Sequence, residues 1–484
     1  MPVFSQEAYY WTYAQHQDLS YFDHPPLVAW LIWLGTSVFG DGCFGLRFCT
    51  WLCGLGVTAF GAKLLRDFGI PDGGVGLWIL LSVAAPILAM THFLVNPDAS
   101  LVCGWTLVML AMWRARSGSV AWWIVAGVAA GITLLSKYSG AFLAISGVVL
   151  LACDPLTRRQ LRRPGPYVAV LVAAVVFLPV VVWNVNNHFE SFRFQTGERF
   201  SKGELGWRWF LQFAGQQLLI VHPVLGIAIA VSLGWLVRRG RADARIRWLL
   251  AFGMPLPVWF VVSSVWMQVK MNWLAPAFVP LLLGVAVWWS EHAAAVVRPR
   301  LARVAAASLM LVPAAMLLAP AMHLVPPGRG TTWSGWEEIA ARAEVWEDKF
   351  DPEDGIEGNI FYFAADYRDA AQLGRQVLLQ RRKERPLENG FVADPNFEPT
   401  LAQNVIGMRG LQFDHWSRPK DRIGQDAIFV LPRPEQRGAM VREASMRFLS
   451  MEKLERVQVC RLGVHHYDAD IYVCRGYKGP DPLR

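Results

Sequence analysis

Five polar residues stand at the mouths of apolar segments: Glu7, Asp23, His24, Asp98 and Lys137. A carboxylate can take the proton of an attacking hydroxyl, and a lysine or histidine can hold a departing phosphate. Ionisable groups at the rim of a lipid-embedded bundle are costly and mark function. The set fits chemistry at a membrane surface, on a substrate carried by a lipid. Each residue also has a plainer reading. Glu7 suits a helix start, where the dipole favours negative charge. Asp23 and His24 precede Pro25 and Pro26, which fix a turn. Asp98, in NPD at 96–98, suits an N-cap, and Lys137 can snorkel to the interface. Lys270, Arg193 and Arg199 are further phosphate candidates, and Arg47 is a candidate partner for a carboxylate. Asp23, His24 and Asp98 form a candidate set for a divalent cation, with an incomplete ligand count. No other cofactor is indicated.

The elements that must position these residues are membrane helices. The chain is 54% hydrophobic and 17% charged, with 23 Trp, too apolar for an ordinary soluble protein. Apolar runs near the bilayer-crossing length of roughly 17–25 residues recur at 44–63, 75–95, 99–113, 121–136, 139–153, 167–184, 209–236, 248–266, 274–290 and 303–322. From 323 the composition is that of a soluble domain. The fold class is therefore an α-helical polytopic membrane protein with a C-terminal soluble α/β domain. The expected domains are a first outer loop with interfacial helices (1–43), a transmembrane bundle (44–322) and an external α/β domain (323–484).

The formal charge of +8 is explained by orientation. Arginines crowd alternate loops, at Arg114 and Arg116, Arg158 to Arg163, Arg238 to Arg247 and Arg298 to Arg303. The positive-inside rule makes those loops cytoplasmic, and no basic stripe with interleaved aromatics remains for a nucleic acid. The opposite set then faces outward: 1–43, the turns at 96–98 and 137–138, 184–208, 267–273 and the tail. That places all five polar residues on one face. Nothing precedes residues 1–24 to carry them across, so a further transmembrane helix is expected upstream of Met1.

Residues 5–17 read as a short helix lying on the membrane, with Tyr9, Tyr10, Trp11 and Tyr13 in the interfacial belt. Leu27 to Phe39 reads as re-entrant or interfacial. The stretch from Trp183 to Arg199, WNVNNHFESFRFQTGER, is aromatic and polar together, suiting either a headgroup contact or an interfacial anchor. In the tail, strands are expected at 359–363 and 427–431, helices at 366–379 and 435–448, and a hairpin over 455–477. No phosphate loop, zinc spacing or nucleophile elbow appears there. Cys460 and Cys474 flank that hairpin, and an outward compartment permits a disulfide between them without spacing requiring it. The other five cysteines suit small apolar packing roles.

EAYYW at 7–11, YFDHPPL at 21–27, NPD at 96–98 and LSKY at 135–138 together resemble the bacterial integral-membrane glycosyltransferases of the GT-C fold. That broad family includes protein O-mannosyltransferases and the lipid A aminoarabinose or galacturonic acid transferases. WN at 183–184, the stretch from Phe194 and Gln195 to Arg199, and KMNW at 270–273 fit the same pattern. The resemblance spans most of 5–290. It implies an inverting enzyme of a Gram-negative inner membrane, with its C-terminal domain in the periplasm. The donor would be a polyprenyl-phosphate sugar and the acceptor a lipid or a protein. Family members carry an acidic pair in the first outer loop; here the pair is Gln6 and Glu7, which leaves the base open among Glu7, Asp23 and Asp98. The family's Lys-Pro-Pro or His-Pro-Pro position falls on His24. His24, Lys137, Lys270 and Arg199 would hold the lipid phosphate, and Tyr9, Tyr10, Trp11, Tyr138, Asn184 and Gln195 would line the substrate. The competing class is a transporter or flippase of a lipid-linked sugar, which should place its ionisable groups at the midplane of repeated halves. No repeat is visible in this chain.

Overall fold

The computed structural model describes residues 1–198, 206–328, 330–350, 360–384 and 400–481. The described chain divides into two compact units: one holds 18–31 and 47–316, the other 1–17, 32–46 and 317–484.

The first is helical throughout. In chain order the helices begin with α1 (Ser5–Gln15, in the second unit), α2 (Leu27–Phe39), α3 (Cys43–Asp67), α4 (Asp72–Ala84), α5 (Pro86–Phe93), α6 (Pro97–Ala115), α7 (Val120–Ser136), α8 (Phe142–Cys153), α9 (Pro155–Gln160) and α10 (Gly165–Asn186). Among the described residues five helical segments are long and apolar enough to cross a membrane, or up to seven if each bent pair counts as one. This is a multi-pass membrane protein. In Met271–Ala293, 83% of the residues of its apolar 18-residue stretch are buried among neighbours, whereas α10 and Pro299–Ala321 bury only 17% of theirs and present apolar surface outward. The core gathers around Trp78, Trp105, Trp248 and Phe252, with Trp105 edge-on to Phe252 at 6.3 Å.

Two expected crossings are not single rods. The run at 75–95 breaks between α4 and α5 with a 66° bend, and the run at 209–236 bends by 102° between Trp207–Val221 and Pro223–Arg239. A proline opens the second half of each pair. It lacks the N–H needed to continue the ladder and disfavours the helical region for the residue before it. Ala85 is accordingly extended (φ −69°, ψ 119°), and His222 takes φ +72°.

Small residues set how closely α6, α7 and α10 approach. A Cβ on Gly104 of α6 would meet Thr133 Oγ1 of α7 at 2.3 Å. Gly127 and Gly131, one turn apart on α7, would meet the Ala169 carbonyl oxygen and Val176 Cβ of α10, each at 2.5 Å. This small-xxx-small spacing lets membrane helices pack at backbone distance.

The second unit contains a four-stranded sheet of order β1-β2-β4-β3. Its strands are β1 (Ile360–Ala364), β2 (Asp426–Pro432), β3 (Phe448–Arg461) and β4 (Val464–Tyr477). β1 runs parallel to β2, and the other pairs are antiparallel. Helices Trp336–Phe350, Tyr367–Glu384 and Gly438–Arg447 complete the unit, so the α/β reading of the tail holds. The hairpin is longer than expected and shows why no disulfide joins its cysteines. Cys460 pairs with His465 near the turn, while Cys474 pairs with Met451 far along the ladder. Nine residues of strand, roughly 30 Å, separate those positions on β4, and both thiols are free.

The interfacial reading of the first helix is overturned. In α1, Tyr9, Trp11 and Tyr13 are fully buried, and Tyr10 nearly so. Tyr9 lies edge-on to Tyr367 at 4.7 Å, and its hydroxyl accepts from the Gln412 N–H at 3.2 Å. Trp11 Nε1 donates to Asp41 Oδ1 at 2.7 Å. The aromatics are core of a domain whose other half lies more than three hundred residues downstream, which local composition cannot reveal.

Candidate active site

α6 and α7 form an antiparallel pair, so the start of one and the end of the other share a mouth. Asn96 caps α6, its side chain accepting from the Ala99 N–H at 3.1 Å. Asp98 is thus not the cap. Freed from that task and 2% exposed, it accepts from Lys137 Nζ at 2.7 Å through Oδ1 and from Asn272 Nδ2 at 2.5 Å through Oδ2. Lys137 sits at the C-cap of α7 in extended backbone, and the Gly104–Thr133 approach below it sets the separation of the two helices. The charges also suit their places, an anion at a helix start and a cation at a helix end. Lys137 is therefore an oriented ammonium rather than a snorkelling one. Two of its three N–H donors remain after the Asp98 contact.

A second group of contacts ties the segment 18–31 to the stretch after α10. Trp183 Nε1 donates to Asp18 Oδ2 at 2.7 Å, and Trp30 Nε1 donates to the Asp18 carbonyl at 3.1 Å. Gln195 Nε2 donates to the Asp23 carbonyl at 2.8 Å, and Phe22 packs on Phe194 with centroids 4.8 Å apart. Asn184, fully buried, donates to the Val180 carbonyl and accepts from the Phe192 N–H. Tyr138, next to Lys137, shares a 2.7 Å hydrogen bond with Ser191 and lies close enough to Asp23 to feel its charge. Asn184, Gln195 and Tyr138 thus hold the shape of this wall, and the turn bearing Asp23 and His24 is anchored through it. Asp23 is 7% exposed.

Glu7 belongs to the other unit, with Tyr9, Tyr10 and Trp11. Its Oε2 accepts from the Phe4 N–H at 2.9 Å, making the carboxylate a cap of its own helix. Lys270 is exposed and two residues from Asn272. Arg199 lies outside the described residues. The proposed metal set is not assembled: among the described residues no group of three or more His, Cys, Asp or Glu gathers to hold an ion. Both Asp98 oxygens are instead engaged by an ammonium and an amide.

Asn272, Asp18 and Ser191 were not singled out by the sequence. Asn272 had a signal, an amide in the short polar turn between two apolar runs. Asp18 and Ser191 had none, since their partners lie 165 and 53 residues away.

With that geometry in place, three comparisons bear on it. Residues 23–183 match the model of the dolichyl-phosphate-mannose-protein mannosyltransferases. The chain is 27% identical over 290 residues to a lipid A galacturonosyltransferase of Rhizobium johnstonii, covering 59% of this chain and 60% of that one. It is 28% identical over 317 residues to an undecaprenyl phosphate-alpha-4-amino-4-deoxy-L-arabinose arabinosyl transferase of Pseudomonas fluorescens, covering 57% of this chain and 49% of that one. The alignments thus span at most about three-fifths of these relatives. In structure, the chain is similar to ArnT of Cupriavidus metallidurans in its apo state: TM-score 0.61, 16% identity, 96% of this chain and 93% of that one. The fold is the GT-C-type polytopic bundle with a C-terminal α/β domain, and the resemblance read from the motifs stands.

Proposed function

We propose that this chain is an inverting glycosyltransferase that moves a sugar from a polyprenyl-phosphate donor to a lipid or protein hydroxyl. The observation that carries the reading is the Asp98–Lys137–Asn272 arrangement at the shared mouth of α6 and α7. In the proposed step the acceptor oxygen attacks the anomeric carbon while the bond from that carbon to the phosphate oxygen breaks. The electron pair leaves with the polyprenyl phosphate. Lys137, aimed by Asp98, holds the phosphate through its two remaining N–H donors, with His24 and exposed Lys270 as further cations. Asp23 receives the acceptor proton, and Asp98 is a positioning residue. The names of the relatives support the donor class and favour a lipid acceptor, lipid A above all. The arginine-rich loops support a periplasmic position for this mouth at the inner membrane, and the same rule supports a periplasmic C-terminal domain.

The test is transfer of label from a radiolabelled polyprenyl-phosphate sugar to lipid and protein fractions, by the purified chain in proteoliposomes. Lys137→Met should lower transfer by about a hundredfold or more, the usual effect of removing one charge-stabilising donor. Asp23→Asn should do at least as much. Label that crosses the bilayer without changing acceptor, at a rate indifferent to both substitutions, would instead establish a flippase.

A further inference from the structure

At the far end of α6 from Asp98, about 25 Å along the helix axis, lies a cavity of ≈ 820 Å³. It opens where α3 and α6 end and where α7 and α10 begin, at the level where apolar sequence gives way to arginine. Four arginines line it against a single carboxylate, Asp67, and that carboxylate is committed to Arg114 by contacts of 2.6 and 3.1 Å. Among the described residues the other three, Arg116, Arg159 and Arg163, have no ion-pair partner. Arg116 stacks its guanidinium on Trp113 at 3.2 Å, and its Nη1 is buried with no hydrogen-bond partner among the described residues. The nearby Asp154 attracts it, but this one carboxylate makes its contacts with Thr157 and Arg247 and is shared between two arginines. Arg163 reaches in over Gly118, where a Cβ would stand 2.0 Å from its Nη1, and Gly118 has φ +106°. Gln160 donates to the Arg116 carbonyl at 2.8 Å, while its buried Oε1 has no partner among the described residues.

We propose that this cavity is a binding site for the phosphate headgroup of an anionic phospholipid, separate from the candidate active site. A phosphodiester would satisfy Arg116 Nη1 and neutralise Arg159 and Arg163. A headgroup hydroxyl would donate to Gln160 Oε1. The lipid source is favoured over a soluble phosphate by the wall: Leu156 lines the cavity and is 46% exposed, so an acyl chain has an apolar exit. Basic pockets between membrane helices on the arginine-rich side take such headgroups.

Native mass spectrometry of the full chain, released from micelles doped with phosphatidylglycerol or phosphatidylcholine, tests this. The wild type should retain phosphatidylglycerol in preference, and Arg116→Gln with Arg163→Gln should weaken that retention about tenfold or more. Arg238→Gln with Arg241→Gln removes equal charge elsewhere and should leave it unchanged. If the first pair fails to fold, Arg159→Gln with Arg163→Gln, both exposed side chains, carries the same expectation. Equal retention of the two lipids by the wild type, or equal loss in the Arg238/Arg241 pair, overturns the site. Displacement of phosphatidylglycerol by millimolar inorganic phosphate overturns the lipid assignment in favour of a soluble phosphate.

Discussion

Glu7 and Asp98 look alike from the sequence and differ in what holds them. Each stands in the first turn of a helix and each is almost fully buried, at 1% and 2% exposure. Glu7 is met by the N–H of Phe4, three residues away. Asp98 is met by side chains 39 and 174 residues away, while Asn96 does the capping. The cap contact of Glu7 is local and can form before the fold does. A carboxylate held by two distant elements has been placed, and its placement constrains whatever cation it meets.

The sharpest way to break the comparison is to remove Asp98. Asp98→Ala leaves the Lys137 ammonium, 12% exposed, without its counter-charge, and should destabilise the bundle by about 3–5 kcal/mol. Asn272→Ala should lose about 2 kcal/mol, the scale of a hydrogen bond to a charged group. In a double-mutant cycle read by thermal melting, Asp98→Asn with Lys137→Met should cost much less than the sum of the two single changes. Additive losses would mean that the two side chains do not act as a unit.

The helix bearing Glu7 offers a contrast in pH. His16, just past α1, stacks on Trp416 with centroids 4.8 Å apart, and burial pushes its pKa down from 6.5 to about 4. The folded form therefore keeps the ring neutral where the unfolded chain would protonate it. Its contribution is complete above about pH 6.5 and is lost as pH falls towards 4, a change on the order of 3 kcal/mol. Melting of the wild type should decline over that window, and His16→Phe should flatten the decline. An unchanged slope would place the acid sensitivity elsewhere.

How much could be read in advance follows the same division between local and distant. Apolar runs announced the helices because crossing a bilayer needs a length that composition records. Strands β1 and β2 were legible as short apolar runs. The bends at Ala85 and His222 are marked by prolines, yet each run of apolar residues is continuous across its proline and so reads as one span. The Asp98–Lys137 pair was half legible: both residues stood out, and the alternation of arginine loops put them on one face. What escaped was that each is the other's partner, since that depends on Gly104 meeting Thr133. The burial of Tyr9, Trp11 and Tyr13 was illegible for a stronger reason. A tyrosine-rich amphiphile looks the same whether lipid or a distant domain covers it.

The smallest expected effect belongs to Glu7 and bears most directly on the comparison. If its carboxylate serves chiefly as a cap, Glu7→Gln keeps an oxygen able to accept from the Phe4 N–H and should change stability by a few tenths of a kcal/mol. Glu7→Ala removes the acceptor and should cost about 1 kcal/mol, the ordinary loss of a helix cap. Transfer activity, measured on the same proteins, should follow that order, with Glu7→Gln close to wild type. A collapse of transfer in Glu7→Gln with melting unchanged would reverse the comparison. It would make the capping carboxylate a participant in the chemistry and restore the role its motif suggests. The two outcomes separate cleanly because the glutamine preserves the hydrogen bond and removes only the charge.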